Sequence, residues 1–272
     1  MSQIARALTI AGSDSGGGAG IQADLKTFQE LGVFGMSAIT AVTVQNTLGV
    51  SNVYPLPPEA AAEQIEAVGS DLGVDALKTG MLFSAEIIGA VAAQIRAFSW
   101  NRVVVDPVMI AKGGASLLQT EAVQALRSQL LPLAYIVTPN LPEAEVLSGL
   151  SIRSMEDRRK AAKRICAYGV QQVVIKGGHD ADTGEQVVDL YYDGTTFTEM
   201  VERRIPTVHT HGTGCTFSAA LTAELAKGTP TLDAVRIARA FIQAAIEHEL
   251  GLGQGHGPTN HFAYRRLQGA SR

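Results

Sequence analysis

Short apolar runs alternate with longer amphipathic stretches along the whole chain. Runs rich in Val and Ile predict strands at residues 7–11, 36–44, 76–78, 102–105, 135–137 and 172–175. Several are continuous rather than alternating, as in strands buried on both faces. Between them, helical spacing of apolar positions predicts helices at 20–31, 58–70, 84–98, 120–131, 141–148 and 154–168. Such alternation predicts an α/β fold: a mostly parallel central sheet with helices on both faces. After Lys176 the rhythm changes. Segments 187–192 and 196–201 flank Asp193-Gly194, a hairpin signal that predicts an antiparallel edge. Apolar helices are expected at 214–227 and 231–250, the first with Phe217, Leu221 and Leu225 at four-residue steps. No repeat or linker interrupts the pattern, so residues 1–272 read as a single domain.

Composition narrows the function. The chain is 46% hydrophobic and 18% charged, with a formal net charge of −4. No Lys/Arg block is present, which argues against nucleic acid as a partner. Residues 31 to 58 carry no charge. Their continuous apolar part is interrupted by Ser37, Thr40 and Thr43, far short of the roughly 20 residues that span a bilayer. No membrane partner is expected. With only Cys166 and Cys215 and no apolar leader at the start, a reducing cytoplasmic setting is expected.

Each predicted parallel strand ends in polar or glycine residues, and that edge is where open α/β sheets bind ligands. The first strand runs into Gly12-Ser-Asp-Ser-Gly-Gly-Gly-Ala-Gly20. This loop fits neither G-x-G-x-x-G nor the Walker A spacing, and reads as a close-approach loop or a plain turn. A serine-protease reading of Asp-Ser-Gly-Gly fails because all six histidines lie at position 179 or later, in α/β surroundings. In His211-Gly-Thr-Gly-Cys-Thr216, glycines lead into an apolar helix, a geometry that binds anions through free N–H groups. There the helix dipole favours a Cys215 thiolate; a buried, inert cysteine is the plain alternative. Asp106 ends a buried strand, where a carboxylate needs a partner or a metal. Asn140-Leu-Pro-Glu143 either offers oxygen ligands for Mg²⁺ beside phosphates or forms a helix cap. Lys176 is either a phosphate partner or a solvated strand-end lysine.

Together, the two glycine segments with Val42-Thr-Val-Gln45-Asn, Lys78-Thr-Gly-Met81, Val105-Asp-Pro-Val-Met109, Thr138-Pro-Asn-Leu-Pro-Glu143 and Lys176-Gly-Gly-His179 resemble the hydroxymethylpyrimidine/phosphomethylpyrimidine kinases. These form the thiamin-pathway branch of the ribokinase-like superfamily, and the resemblance spans nearly the whole chain. Cys215 stands where ribokinase-like sugar kinases carry Asp, which agrees with the pyrimidine and pyridoxal branch. The resemblance implies ATP-dependent phosphorylation of 4-amino-5-hydroxymethyl-2-methylpyrimidine to its monophosphate and then its diphosphate. Asp24 and Gln45 would read the pyrimidine, between walls of Gly12, Val44, Met81 and Val108. Gly212, Thr213 and Gly214 would form the anion hole, with Cys215 as catalytic base. Asn140 and Lys176 would contact ATP phosphates, and Asp106 and Glu143 would hold Mg²⁺. Alanines 234, 238, 240, 244 and 245 would line an adenine pocket, Lys112-Gly-Gly114 would serve as a lid, and the chain would form a homodimer. The alternatives are a pyridoxal/pyridoxine kinase, a non-catalytic vitamin sensor on a decayed kinase scaffold, and a thiol hydrolase pairing Cys215 with His209 or His211.

Overall fold

The computed structural model describes residues 4–109, 120–178 and 184–270, so Lys112–Gly114 and His179 lie outside the described residues. The chain begins β1 (Arg6–Asp14), α1 (Gly20–Glu30), β2 (Phe34–Asn46), β3 (Gly49–Pro55), α2 (Pro58–Asp71) and β4 (Ala76–Thr79). It continues α3 (Ala85–Ala97), β5 (Val103–Val105), α4 (Thr120–Ala125), β6 (Ile136–Val137), α5 (Leu141–Ser148) and α6 (Met155–Cys166). Then follow β7 (Gln172–Ile175), β8 (Gln186–Tyr192), β9 (Phe197–Arg203), α7 (Thr213–Ala226), α8 (Thr231–Glu247) and α9 (Ala263–Ala270).

The described strands form one sheet in the order β3-β2-β1-β4-β5-β6-β7-β8-β9. From β2 to β7 every pairing is parallel. β3 on one side and β8 and β9 on the other pair antiparallel. The central strands are apolar throughout because both faces are covered. Val103 and Val105 pack with Ile65, Ile88 and Ile165 on one side of the sheet, whereas Val104 packs with Phe28, Leu221 and Phe241 on the other. Fully burying each such side chain contributes about 1.5–3 kcal/mol. No described helix is long and apolar enough to cross a membrane.

The structure differs locally from the sequence reading in four places. β3 is an additional edge strand, mostly exposed and rich in polar residues, so its apolar pattern is weak. The helix expected over 120–131 ends its α geometry at Ala125, passes through a π turn (Leu126–Leu130) and closes as a 3-10 turn (Leu131–Leu133). Pro132, which cannot donate to a carbonyl one turn back, prevents its continuation. α9 is a short terminal helix that the pattern did not reveal. In α8, Ala234, Ala238 and Ala245 pack into the core rather than lining a pocket, and Ala240 is exposed.

Candidate active site

An open cavity of about 430 Å³ lies at the carboxyl ends of the parallel strands, within the range of small-molecule sites. Its walls include Asp14 at the end of β1, Gly80 after β4, Asp106 after β5, Asn140 after β6 and Lys176 after β7. The start of α7 closes one side. Two glycine loops meet there in direct contact. Gly212 has φ +81°, and a Cβ on it would stand 1.8 Å from the Gly18 carbonyl oxygen. On the facing loop Gly20 has φ +56°, and its Cβ would stand 2.3 Å from the Gly12 carbonyl oxygen. Side chains are excluded at both points by backbone.

The α7 entrance carries the anion-binding geometry with one change. The Thr213 amide donates to the Thr210 carbonyl at 3.3 Å, so it is already engaged. Among the described residues, the amides of Gly212, Gly214 and Cys215 have no protein acceptor. A Cβ on Gly214 would lie 3.3 Å from Lys176 Nζ and 3.6 Å from Asp106 Oδ2, which sets the charged pair directly beside this turn. Lys176 Nζ contacts Asp106 Oδ1 at 3.1 Å, and its side chain is only 15% exposed, so it is not a solvated strand-end lysine. Thr138 and Ser218 hydroxyls, at 3.3 and 3.2 Å, also donate to the Asp106 carboxylate.

Asn140 caps α5 in both senses. Its Oδ1 accepts the Glu143 amide at 2.9 Å, while Glu143 Oε2 accepts the Asn140 amide at 2.8 Å. Both residues nonetheless line the cavity. Burial is the main force lifting the Glu143 carboxyl to about 7; Asp106 adds to it, and Lys176 and the Asn140 and Met109 amides oppose it. Asp106 and Glu143 therefore supply two hard oxygen donors on one wall. No group of three or more His, Cys, Asp or Glu converges among the described residues. Two carboxylates without a protein cage suit Mg²⁺, which keeps waters and shares phosphate oxygens.

Cys215 lines the cavity, with its sulfur accepting from the Gly20 amide. The dipole-lowered thiolate expected from sequence is not what the surroundings produce. Burial pushes the thiol up to about 11; Lys78 opposes that shift, and Asp24 and Asp106 reinforce it. At neutral pH the resting sulfur is protonated.

The apolar wall consists of Gly12, Met81 and Val108, and is tight enough that a Cβ on Gly12 would fall 2.4 Å from Met81 Cε. Gln45 reaches the cavity with Thr43. Val44 does not: it sits between them on the opposite face of β2 and is 46% exposed, because neighbouring side chains alternate across a strand. Asp24 is the second correction. It is fully buried outside the cavity wall, holding Lys78 at 2.9 and 3.1 Å and accepting from Thr9 at 2.6 Å. Asp24 keeps the Lys78 ammonium well above its ordinary pKa against the pull of burial.

Sequence reasoning passed over Asp14 as a site residue and weighed His211 only as a partner of Cys215 in a thiol hydrolase. Asp14 accepts the amides of Gly16, Gly18 and Ala19 at 2.8, 3.0 and 2.8 Å, and thereby shapes the glycine loop. Burial opposes its ionisation, but His211 and these amides outweigh that and hold the carboxyl below its ordinary value. An Asp two residues before Gly in a loop is a recognisable Asx-turn signal. His211, by contrast, shows its role only through tertiary contact.

The comparisons with known proteins agree with this geometry. The phosphomethylpyrimidine kinase family pattern matches residues 14–260. A hydroxymethylpyrimidine/phosphomethylpyrimidine kinase of Bacillus subtilis (strain 168) is 58% identical over 263 residues, covering 97% of each chain. One from Haemophilus influenzae is 56% identical over 270 residues, covering 98% of this chain and 100% of that protein. The pyridoxal kinase of Staphylococcus aureus, solved with AMP-PCP and pyridoxal, superimposes with a TM-score of 0.89 at 43% identity, covering 97% of this chain and 96% of that one. This chain belongs to the phosphomethylpyrimidine kinase family.

Proposed function

We propose that this chain, acting as one domain, phosphorylates 4-amino-5-hydroxymethyl-2-methylpyrimidine with ATP and then phosphorylates the monophosphate, supplying the diphosphate for thiamin biosynthesis. The observation that carries this reading is the meeting of unpartnered amides at Gly214 and Cys215 with Lys176, Asp106 and an apolar, Gln45-bearing wall around one cavity. Asn140 and Lys176 bind the ATP phosphates, and Asp106 and Glu143 hold Mg²⁺. Bound Mg²⁺ supplies neutralising charge to the phosphate oxygens. The Gly212–Cys215 turn stabilises the transferring phosphoryl group through its N–H donors. The setting is cytoplasmic. The chain acts as a homodimer, a reading that the exposed apolar Val42, Val44 and Tyr54 on β2 and β3 support. Incubation with ATP, Mg²⁺ and the pyrimidine alcohol is expected to yield mono- and diphosphate. Turnover of pyridoxal alone would instead favour the pyridoxal kinase reading, which the likeness to the Staphylococcus aureus enzyme keeps in view.

The two transfers make different demands on Cys215. In the first, the alcohol oxygen bonds to the γ-phosphorus as the bond to ADP breaks, and the hydroxyl proton passes to the Cys215 thiolate. In the second, the attacking monophosphate, with a second pKa of about 6, is already ionised and needs no base. With the thiol at about 11, the reactive thiolate is scarce at neutral pH. The alcohol step is therefore expected to climb about tenfold per pH unit from pH 7 towards 10, while the monophosphate step does not. Cys215→Ala should cost the alcohol step about 10²–10⁴-fold and the monophosphate step far less. Separate steady-state profiles for the two substrates test this, and equal losses or a flat alcohol profile would overturn the base role.

Glu143 gives an independent expectation. A carboxyl at about 7 must release its proton to take a cation. With ATP saturated, the Mg²⁺ concentration for half-maximal activity should rise up to about tenfold per unit as pH falls below 7, and level off above it. Glu143→Gln should raise that concentration and flatten its pH dependence. An unchanged slope in the variant would remove Glu143 from the metal site.

A further inference from the structure

Lys176 sits where the β7–β8 ladder stops. The last paired residues are Ile175 and Leu190, and the next in register, Lys176 and Asp189, are not paired with each other. Two glycines follow Lys176, and the lysine stem is itself flexible, so its ammonium needs a fixed backbone to keep a fixed place. On one side the Lys176 amide donates to the Pro139 carbonyl at 2.8 Å. On the other side the hold comes from a side chain. The buried Gly177 amide donates to Asp189 Oδ1 at 2.7 Å rather than to a main-chain carbonyl. A Cβ on Gly177 would stand 2.0 Å from the Val188 carbonyl oxygen, so the chain turns here in direct backbone contact with β8.

The β8 dipeptide Val188-Asp189 is gripped by helices on both faces of the sheet. Arg158 of α6 donates to the Val188 carbonyl at 2.7 Å. Arg239 of α8 brings Nε 3.1 Å from Asp189 Oδ2, and the two residues are only 8% and 2% exposed. Arg239 Nε and Nη2 have no hydrogen-bond acceptor among the described residues, and Asp189 is the one ion-pair partner of Arg239 there. Neither Asp189 nor Arg239 lines the cavity, whereas Lys176 and Gly178 do. A buried ion pair adds little to stability over apolar residues of similar volume, and this one leaves donors unused. What it does supply is an acceptor held at one point against the Gly177 amide.

We infer that Asp189, anchored by Arg239, is a positioning residue for the nucleoside triphosphate: by holding the Gly177 amide it sets where Lys176 presents its ammonium to the phosphates. This deepens the proposed function and rests on the reading of Lys176 as an ATP-phosphate residue. The tolerance at that place is small. Lys176 Nζ lies 3.1 Å from Asp106 Oδ1 and 3.3 Å from the point where a Cβ on Gly214 would stand. Without the Asp189 acceptor the buried Gly177 amide must find another partner, which shifts the chain and carries Lys176 with it.

The test uses two double variants of the full-length enzyme that remove the same two charges and differ in the acceptor. Asp189→Asn with Arg239→Met keeps an oxygen for the Gly177 amide, and Asp189→Leu with Arg239→Met does not. The leucine double variant is expected to raise KM for ATP about tenfold, the size of one well-placed hydrogen bond, with KM for the pyrimidine alcohol changed less than about threefold. The asparagine double variant should stay within about threefold of wild type for both substrates. With Lys176→Met also present, the leucine pair should raise KM for ATP no further, because the residue it acts through is gone. Equal rises in the two double variants, or the same rise with and without Lys176, would show a merely structural role. No rise in the leucine variant would show none, and each of these results overturns the inference. If the leucine variant has no cooperative thermal transition, Asp189→Ala with Arg239→Met takes its place under the same readouts. An unchanged KM for ATP in Lys176→Met alone would overturn the reading of Lys176 itself, and the inference with it.

Discussion

Gly212→Ala is expected to lose about 10²–10³-fold in kcat/KM, the scale of removing a preorganised donor from an anion hole. Two separate obstacles make the substitution severe. The backbone sits at φ +81°, a conformation that L side chains rarely adopt, and the new methyl carbon would stand 1.8 Å from the Gly18 carbonyl oxygen. That oxygen belongs to backbone in the facing loop, so relief requires the two glycine loops to part. Their separation would pull the Gly214 and Cys215 amides away from Lys176 and Asp106, and would break the packing of His211 on Gly18. Strain of this kind costs about 1–3 kcal/mol, so a lowered melting temperature should accompany the kinetic defect. Steady-state kinetics on both substrates and a thermal melt check it. A variant with wild-type kcat/KM would mean that the turn does not receive the phosphoryl group.

The sequence exposed the parallel sheet because continuous Val and Ile runs such as Val103–Val105 have one physical reading, burial on both faces. It also exposed the binding edge, since glycines and polar residues followed each of these strands. What it concealed depends on direction and depth. Val44 and Gln45 are neighbours in an apolar run, and only the pleat decides that Gln45 faces the cavity while Val44 faces out. Asp24 and Lys78 both belong to motifs of the resemblance, yet one-dimensional spacing does not reveal that they neutralise each other beneath the site. The Cys215 pKa was misjudged for a related reason. A helix N-terminus is visible in sequence, whereas the surrounding protein that desolvates the sulfur is not. The α8 alanines illustrate the same limit, because small residues suit close helix packing as well as a flat ring.

Lys78→Met is expected to cost about 3–5 kcal/mol of folding stability, the usual price of stranding one member of a buried ion pair. Both side chains are fully buried, and the Thr9 hydroxyl is the remaining hydrogen-bond donor to Asp24 once the ammonium is gone. Burial already lifts the Asp24 carboxyl with Lys78 present, and without it the group takes up a proton more readily still. A folded-state pKa raised above the unfolded value gives stability at low pH that is lost as pH climbs through it. The deficit of Lys78→Met relative to wild type should accordingly narrow as pH falls from 7 towards 4. Asp24→Asn combined with Lys78→Met removes both charges and should be more stable than Lys78→Met alone, since the stranded carboxylate is the source of the penalty. Denaturant unfolding at several pH values separates these effects. The site should respond too: the Lys78 ammonium opposes the upward shift of the Cys215 thiol, so its loss drives the thiolate still scarcer. The alcohol transfer should then slow most in Lys78→Met and less in the double variant, where the Asp24 charge that pushes the thiol up is gone as well, whereas a folded Lys78→Met protein with wild-type alcohol turnover would confine this pair to holding the fold.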